Sequence, residues 1–316
     1  VTSPIFPSVT LDGQQFLFRV EGGPLPVDSN GVEWILTKFD GWTGRPAPRT
    51  ARTARIGRSG SFRSAAYVND KIMNLEVVAT APDVASIRAA ELAVSALCSD
   101  GARLYEMVVD EPTNPGQPRL TRSVWVELDD AIQSVPRLWN STTFSIQLAT
   151  PDPRKHDHSW QSPIIGLGTA PVGGANFSSP GLNYASVPGA DFGTPGIPGT
   201  GSVKNSGTAT ARPFFAVVGP LAANWQIVDQ TNGVVLTFTR ALASTDTVVI
   251  NADEFAAQGF PGHGVYLNNS NNQRASLLTP NGWPYVRPGQ TVTYSLLSSS
   301  FSSVASLTAS LRSAWH

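Results

Sequence analysis

Along the first half of the chain, apolar and polar residues alternate in short runs. This is the pattern of half-buried strands, whose successive side chains point to opposite faces. Gln14–Val20 puts Phe16, Phe18 and Val20 on one side, and Val32–Phe39 puts Trp34 and Leu36 on one face. Ile72–Thr80 alternates Met73, Leu75, Val77 and Ala79. Leu104–Asp110, Leu120–Leu128 and Thr142–Thr150 complete the set, with Phe144, Ile146 and Leu148 in phase in the last. Between two of these strands the period changes: Val84, Ile87, Ala90, Val94 and Leu97 form a helical stripe. Thr80 reads as its cap, Pro82 as a first-turn residue and Asp83 as the capping-box acid, with Ser99 to Gly101 as the stop. Residues 1–158 are therefore expected to form an α+β domain, a mostly antiparallel sheet with one helix.

From Ser159 to Gly201 the pattern dissolves into Gly, Pro, Ser and Asn, with Asp191 the only acid and no Lys or Arg. That is too long for an ordinary loop, and 159–201 reads as a Gly/Pro-rich linker or an arm that docks on a neighbouring subunit. From Ser202 the pattern is all-β. Strands are expected at Pro213–Val218, Asn224–Asp229, Val234–Thr239, Thr247–Asn251, Val265–Tyr266, Ala275–Leu278 and Thr291–Leu297, with turn signals between them. Strands at this spacing predict a β-sandwich over 202–316. Leu307, Ala309, Leu311 and Trp315 fit a closing strand.

Charge separates the two halves. Residues 1–158 hold 16 Lys/Arg and 18 Asp/Glu, and residues 159–316 only 6 and 5. The net charge of −1 argues against a dedicated nucleic-acid binder. No run approaches the length of a membrane-spanning helix. The start lacks the basic and apolar regions of a secretory signal, and Val1 suits removal of an initiator Met. The single Cys98 allows no internal disulfide and no Cys-based zinc framework, which fits synthesis in a reducing cytosol.

No set of residues amounts to a catalytic or cofactor site, so the expectation is a protein that is not an enzyme and carries no cofactor or metal. Asp110-Glu111 and Asp129-Asp130 are acidic pairs, but neighbours on a strand point to opposite faces and cannot easily flank one bond. They read as turn or rim residues. His156 and His158 would share a face if extended, yet lack a third and fourth metal ligand apart from Asp152. The conspicuous charge run is Arg45, Arg49, Arg52, Arg55, Arg58 and Arg63, with no acid between Asp40 and Asp70. Pro and Gly interrupt it, so it reads as a loop. Its arginines could pair with acids across a subunit interface or face phosphate. In the second half Trp225, Trp283 and Tyr285 are the aromatics that could form a sugar platform.

Longer signatures carry a resemblance. The first half runs from WILTKFDGW (34–42) through the arginine-bearing segment to GRSGSF and closes on FSIQLATPDP (144–153). The second carries VKNSGTATARPFFAVVGP (203–220), TNGVVLTF (231–238), STDTVVIN (244–251) and LLTPNGWPYVRPGQTVTY (277–294). In order and spacing this resembles the distal tail protein (Dit) family of long, flexible-tailed phages, from about Gln14 to Tyr294. The resemblance implies a hexameric ring at the virion tail tip, with an N-terminal belt domain around a DNA-ejection channel and a galectin-like C-terminal sandwich projecting outward. The implied partners are other copies of the chain, the tail tube protein and the tail-tip hub. A receptor-binding protein or host glycan is a further partner, with DNA only in transit. Where the family often has Asp, this chain has Asn251. The arginine run could line or rim that channel, but a ring that lets DNA slide is better served by a neutral or acidic lumen, so an interface or outer position is expected. The alternative is a carbohydrate-binding sandwich used in attachment to the host envelope.

Overall fold

The structure is a computed structural model. It describes residues 8–17, 27, 28, 30–44, 48, 49, 52–54, 59, 61–63, 67–101, 103–111, 120–168, 199–253, 264–268, 278–280 and 282–316. The first strands are β1 (Ser8–Leu11), β2 (Gln14–Leu17), β3 (Glu33–Asp40), β4 (Pro48–Arg49), β5 (Arg52–Ala54), β6 (Ser61–Arg63), β7 (Tyr67–Val68) and β8 (Lys71–Thr80). Helix α1 (Val84–Ser95) follows, then β9 (Tyr105–Glu111), β10 (Leu120–Leu128), β11 (Gln133–Leu138), β12 (Ser141–Thr150) and β13 (Lys155–Asp157). The later strands are β14 (Ile164–Gly166), β15 (Thr200–Lys204), β16 (Phe214–Val218), β17 (Trp225–Asp229), β18 (Val235–Phe238) and β19 (Thr247–Asn251). They continue as β20 (Gly264–Leu267), β21 (Leu278–Pro280), β22 (Thr291–Leu297), β23 (Ser306–Ser310) and β24 (Ala314–Trp315). The chain divides into two compact units. Unit 1 is Val1–Ser159 with Ala314–His316, and unit 2 is Trp160–Ser313.

Unit 1 is an antiparallel sheet in the order β2-β1-β9-β10-β12-β8-β3, with β11 added to β12, β13 to β10 and β24 to β13. β10 meets β12 only through Glu127 and Leu128, opposite Ala149 and Leu148, while β12 and β8 pair along their whole lengths. The sheet turns at that junction, and Phe16 and Trp34 from its two ends meet edge to face at 5.3 Å. The alternation of β8 reads directly into burial: Met73, Leu75, Val77 and Ala79 point inward with Phe144, Ile146 and Leu148 against Val9, Met107, Val109, Val124 and Val126. Each of these side chains larger than alanine contributes roughly 1.5–3 kcal/mol by leaving water.

The helix differs from expectation at its start. Asp83, not Thr80, is the cap, its carboxylate accepting from the Ser86 amide at 2.8 Å. Thr80 is still in the ladder, opposite Ser141 and Glu33, so its backbone belongs to β8. Ile87, Ala90 and Val94 are buried, but Val84 is exposed at the helix entry.

The arginine run is not simply a loop. β4 pairs with β7 and β5 with β6, so one ladder nests inside the other in sequence; these four strands are the arginine arm. Arg49, Arg52 and Arg63 lie in its strands, and Arg45, Arg55 and Arg58 fall outside the described residues.

Unit 2 has two five-stranded antiparallel sheets, β14-β23-β16-β19-β20 and β15-β22-β17-β18-β21. Phe215 of one and Tyr294 of the other meet at 5.1 Å, which puts the sheets face to face. Trp160, Phe214, Val249 and Tyr266 form a smaller cluster outside that core. Of the span 159–201, Ile164–Gly166 pairs with β23 and Thr200–Gly201 with β22. Residues 169–198 lie outside the description, as do residues 18–20 and 275–277 of two expected strands. Asn251 is buried, and its side-chain oxygen accepts from the Asp253 amide at 3.0 Å, so the amide serves as a turn cap.

Candidate functional site

The arm enters unit 1 through a knot of buried charge. Gly41 adopts φ +85° and lies so close to the Ile72 carbonyl that any side chain would overlap it. The entering segment thus presses directly on the strand that leaves the arm. Lys71, the first residue of that strand, donates from its ammonium to the Trp42 carbonyl at 2.8 Å and the Gly44 carbonyl at 3.1 Å. The Trp42 indole N–H donates to Glu111 Oε1 at 2.7 Å. Glu111 Oε2 accepts from Arg122 at 2.8 Å, and the Lys155 ammonium lies 3.7 Å from Oε1. Lys155 also stands 5.2 Å from the centre of the Trp42 ring, and Arg122 stacks 4.3 Å from that of Trp315.

These groups share a register. Lys71 continues the inward phase of Met73 and Leu75, Arg122 that of Val124 and Val126, and Glu111 that of Met107 and Val109. The apolar stripes of three strands therefore end in charge at one end of the core. Burial, reinforced by the positive charge of Lys155 and opposed by Glu111, pushes the Lys71 ammonium down to about 8. Burial likewise lowers Lys155, against the pull of Glu111. Low dielectric strengthens such pairs but makes any unpaired member costly.

Beside this knot, Asp152 is buried and receives two parallel hydrogen bonds from Arg154, each 2.8 Å, with His156 Nε2 at 3.1 Å. Burial opposes ionisation of Asp152, but Arg154 and His156 outweigh it and hold the carboxyl well below the usual range. His156 is buried and His158 exposed, so the two imidazoles have unlike surroundings. Asp110 accepts from Ser8 at 2.6 Å and Thr121 at 2.7 Å, whereas its neighbour Glu111 enters the charged knot. Asp129 and Asp130 are exposed in the turn before β11.

In unit 2 the aromatic trio separates. Trp225 is 1% exposed, stacks on Phe238 at 4.9 Å and donates to the Arg240 carbonyl at 3.1 Å. This corrects its reading as a sugar-platform residue: it has no face to offer a ligand. Trp283 and Tyr285 are half-buried in the segment before β22, and Arg287 lies over the Tyr285 ring at 5.4 Å.

No family model matches the sequence, and no curated protein does. Among solved structures, the SPP1 Dit protein has been described as a paradigm of the hub adsorption apparatus of phages infecting Gram-positive bacteria. It superposes with a TM-score of 0.56 over 98% of this chain and 99% of its own, at 10% identity. The chain has the Dit fold. The phage P2 baseplate in its activated conformation with Ca matches at TM-score 0.44 and 10% identity, covering 96% of each chain. The Dit fold accounts for the mostly antiparallel architecture with a single described helix.

Proposed function

We propose that this protein is a structural hub of a phage tail tip. In this reading six copies close into a ring between the tail tube and the tip, unit 1 supplies the belt around a DNA channel, and unit 2 is the galectin-like domain. The observation that carries it is the match to the SPP1 Dit fold along almost the whole chain, both units included. Chemistry supports it. Ring closure needs a heterologous contact between two different surfaces of one copy. The layer β11-β12-β8-β3 has unlike edges: β11 with the following turn exposes Val135, Leu138 and Trp139, and β3 exposes Thr37, Lys38 and Asp40. We assign the outward face of that layer, with Asn74, Glu76, Ser145 and Gln147, to the channel, where Lys38, Asp40, Glu76 and Arg137 balance in charge and let DNA slide. The arginine arm then belongs at contacts between copies, and the tail tube protein, tip hub and receptor-binding protein are the expected neighbours.

Light scattering and electron microscopy of the purified chain test this. A six-fold ring that Leu138→Asp or Trp139→Asp reduces to folded monomers is expected. A strict monomer, with or without the tail tube protein, overturns it.

A second reading, attachment to host glycan through unit 2, draws on Trp283 and Tyr285 with Arg287 in one turn-rich segment. Retention of the full chain on host cell-wall polysaccharide, lost in Trp283→Ala, is its expected signature. No retention ends it.

A further inference from the structure

We propose that Glu111 joins the base of the arginine arm and strand β24 into one cooperative unit, so that releasing either loosens the other. The contacts form an unbroken chain. Lys71 holds the entering segment through the carbonyls of Trp42 and Gly44. The Trp42 indole holds Glu111, Glu111 holds Arg122, and Arg122 covers Trp315 of β24. Lys155 closes the circuit. Its ammonium faces Glu111 and the Trp42 ring, and its backbone pairs with Trp315.

One carboxylate thus serves an indole, a guanidinium and an ammonium, all largely shielded from water. Removing one partner changes the environment of the others, because buried charges left without compensation are costly. Members of one such network do not contribute additively. The ladder of β24 to β13 is short, pairing Lys155 with Trp315 and His156 with Ala314. Ala314 follows directly on Ser313, where unit 2 ends. The arm, at the other end of the chain of contacts, is the element assigned above to contacts between copies. That consequence for assembly rests on the ring reading, whereas the coupling itself does not.

Hydrogen exchange on the full-length chain tests the coupling. Trp315→Ala is expected to speed exchange about tenfold at residues 41–44 and 69–72, while core amides of β1 and β9 keep their native rates. Lys71→Met is expected to speed exchange at residues 314–316 in return. Should Trp315→Ala fail to fold, Glu111→Gln preserves shape, removes the charge and is read at both ends. An arm base unchanged in these variants, or acceleration shared equally with β1 and β9, overturns the proposal. Light scattering on the same variants scores ring formation separately, so coupling in a protein that never assembles would remove the ring reading and leave the coupling standing.

Discussion

The Lys71 ammonium reaches back across the base of the arm to the Trp42 carbonyl, 2.8 Å away. The strand leaving the arm is thereby tied to the segment entering it, by a cation that burial makes reluctant to carry its charge.

That reluctance gives a pH dependence with a definite sign. Lys71 releases its proton at about 8 in the folded protein, against 10.5 ordinarily. Below pH 8 both states are protonated and folding bears the full penalty. Between pH 8 and 10.5 the unfolded chain binds more protons, so the Lys71 contribution to stability rises with pH. Lys155, lowered in the same direction, adds to it; Glu111 faces both ammoniums, and Arg122 faces Lys155. The difference in unfolding free energy between wild type and Lys71→Met, measured by urea titration, should shift in favour of wild type through that window. A difference that stays flat or moves the other way refutes this.

Gly41→Ala should damage the same region through the backbone. A methyl group there meets the Ile72 carbonyl oxygen, and φ +85° is unfavourable for alanine. A loss of about 2–3 kcal/mol is expected by chemical denaturation. Gly44→Ala, at φ +91° but facing open space, should cost less.

The two tryptophans of unit 2 should behave oppositely. Trp225→Ala removes a buried ring and the donor to Arg240, and a loss of roughly 3–5 kcal/mol is expected in the unfolding of unit 2. Trp283→Ala, at a half-buried position, should cost less, and on the glycan reading it abolishes retention.

At the helix start, Asp83→Ala should lower the melting temperature, because the Ser86 amide loses its acceptor. Thr80→Val should not, since Thr80 sits in a strand where a β-branched residue is at home.

Cys98 offers a probe of global opening. Burial, with Asp12 adding to it, pushes its thiol up to about 11. Alkylation at pH 8 should therefore follow the unfolding rate of unit 1, and rapid labelling of the native protein would contradict this placement.

Much of the fold was legible because burial imposes period two. Leu120–Leu128, Thr247–Asn251 and Thr291–Leu297 are strands with the expected bounds. β11 was not legible: Gln133–Leu138 contains Pro136 and is exposed throughout, so no alternation marks it. β13 is hidden for the opposite reason, since its buried Lys155 and His156 look like solvent-facing residues until their partners are known. The arm escaped because its pairing nests across Gly and Pro positions. The charged knot had a readable trace, namely Lys71, Arg122 and Glu111 each continuing an apolar stripe. What brings them together is ladder register between strands far apart in sequence, which no local pattern contains.

The pairing of β13 with β24 has a topological consequence. His156 and Ala314 are partners in a two-residue antiparallel ladder, so the whole of unit 2 occupies the position of a hairpin's turn. Replacing residues 160–313 by a turn of a few residues would leave every strand of unit 1 in sequence and close the same hairpin. Unit 2 is in this sense a graft. The chain leaves unit 1 after β13 and returns to it at β24, the two strands that pair with each other.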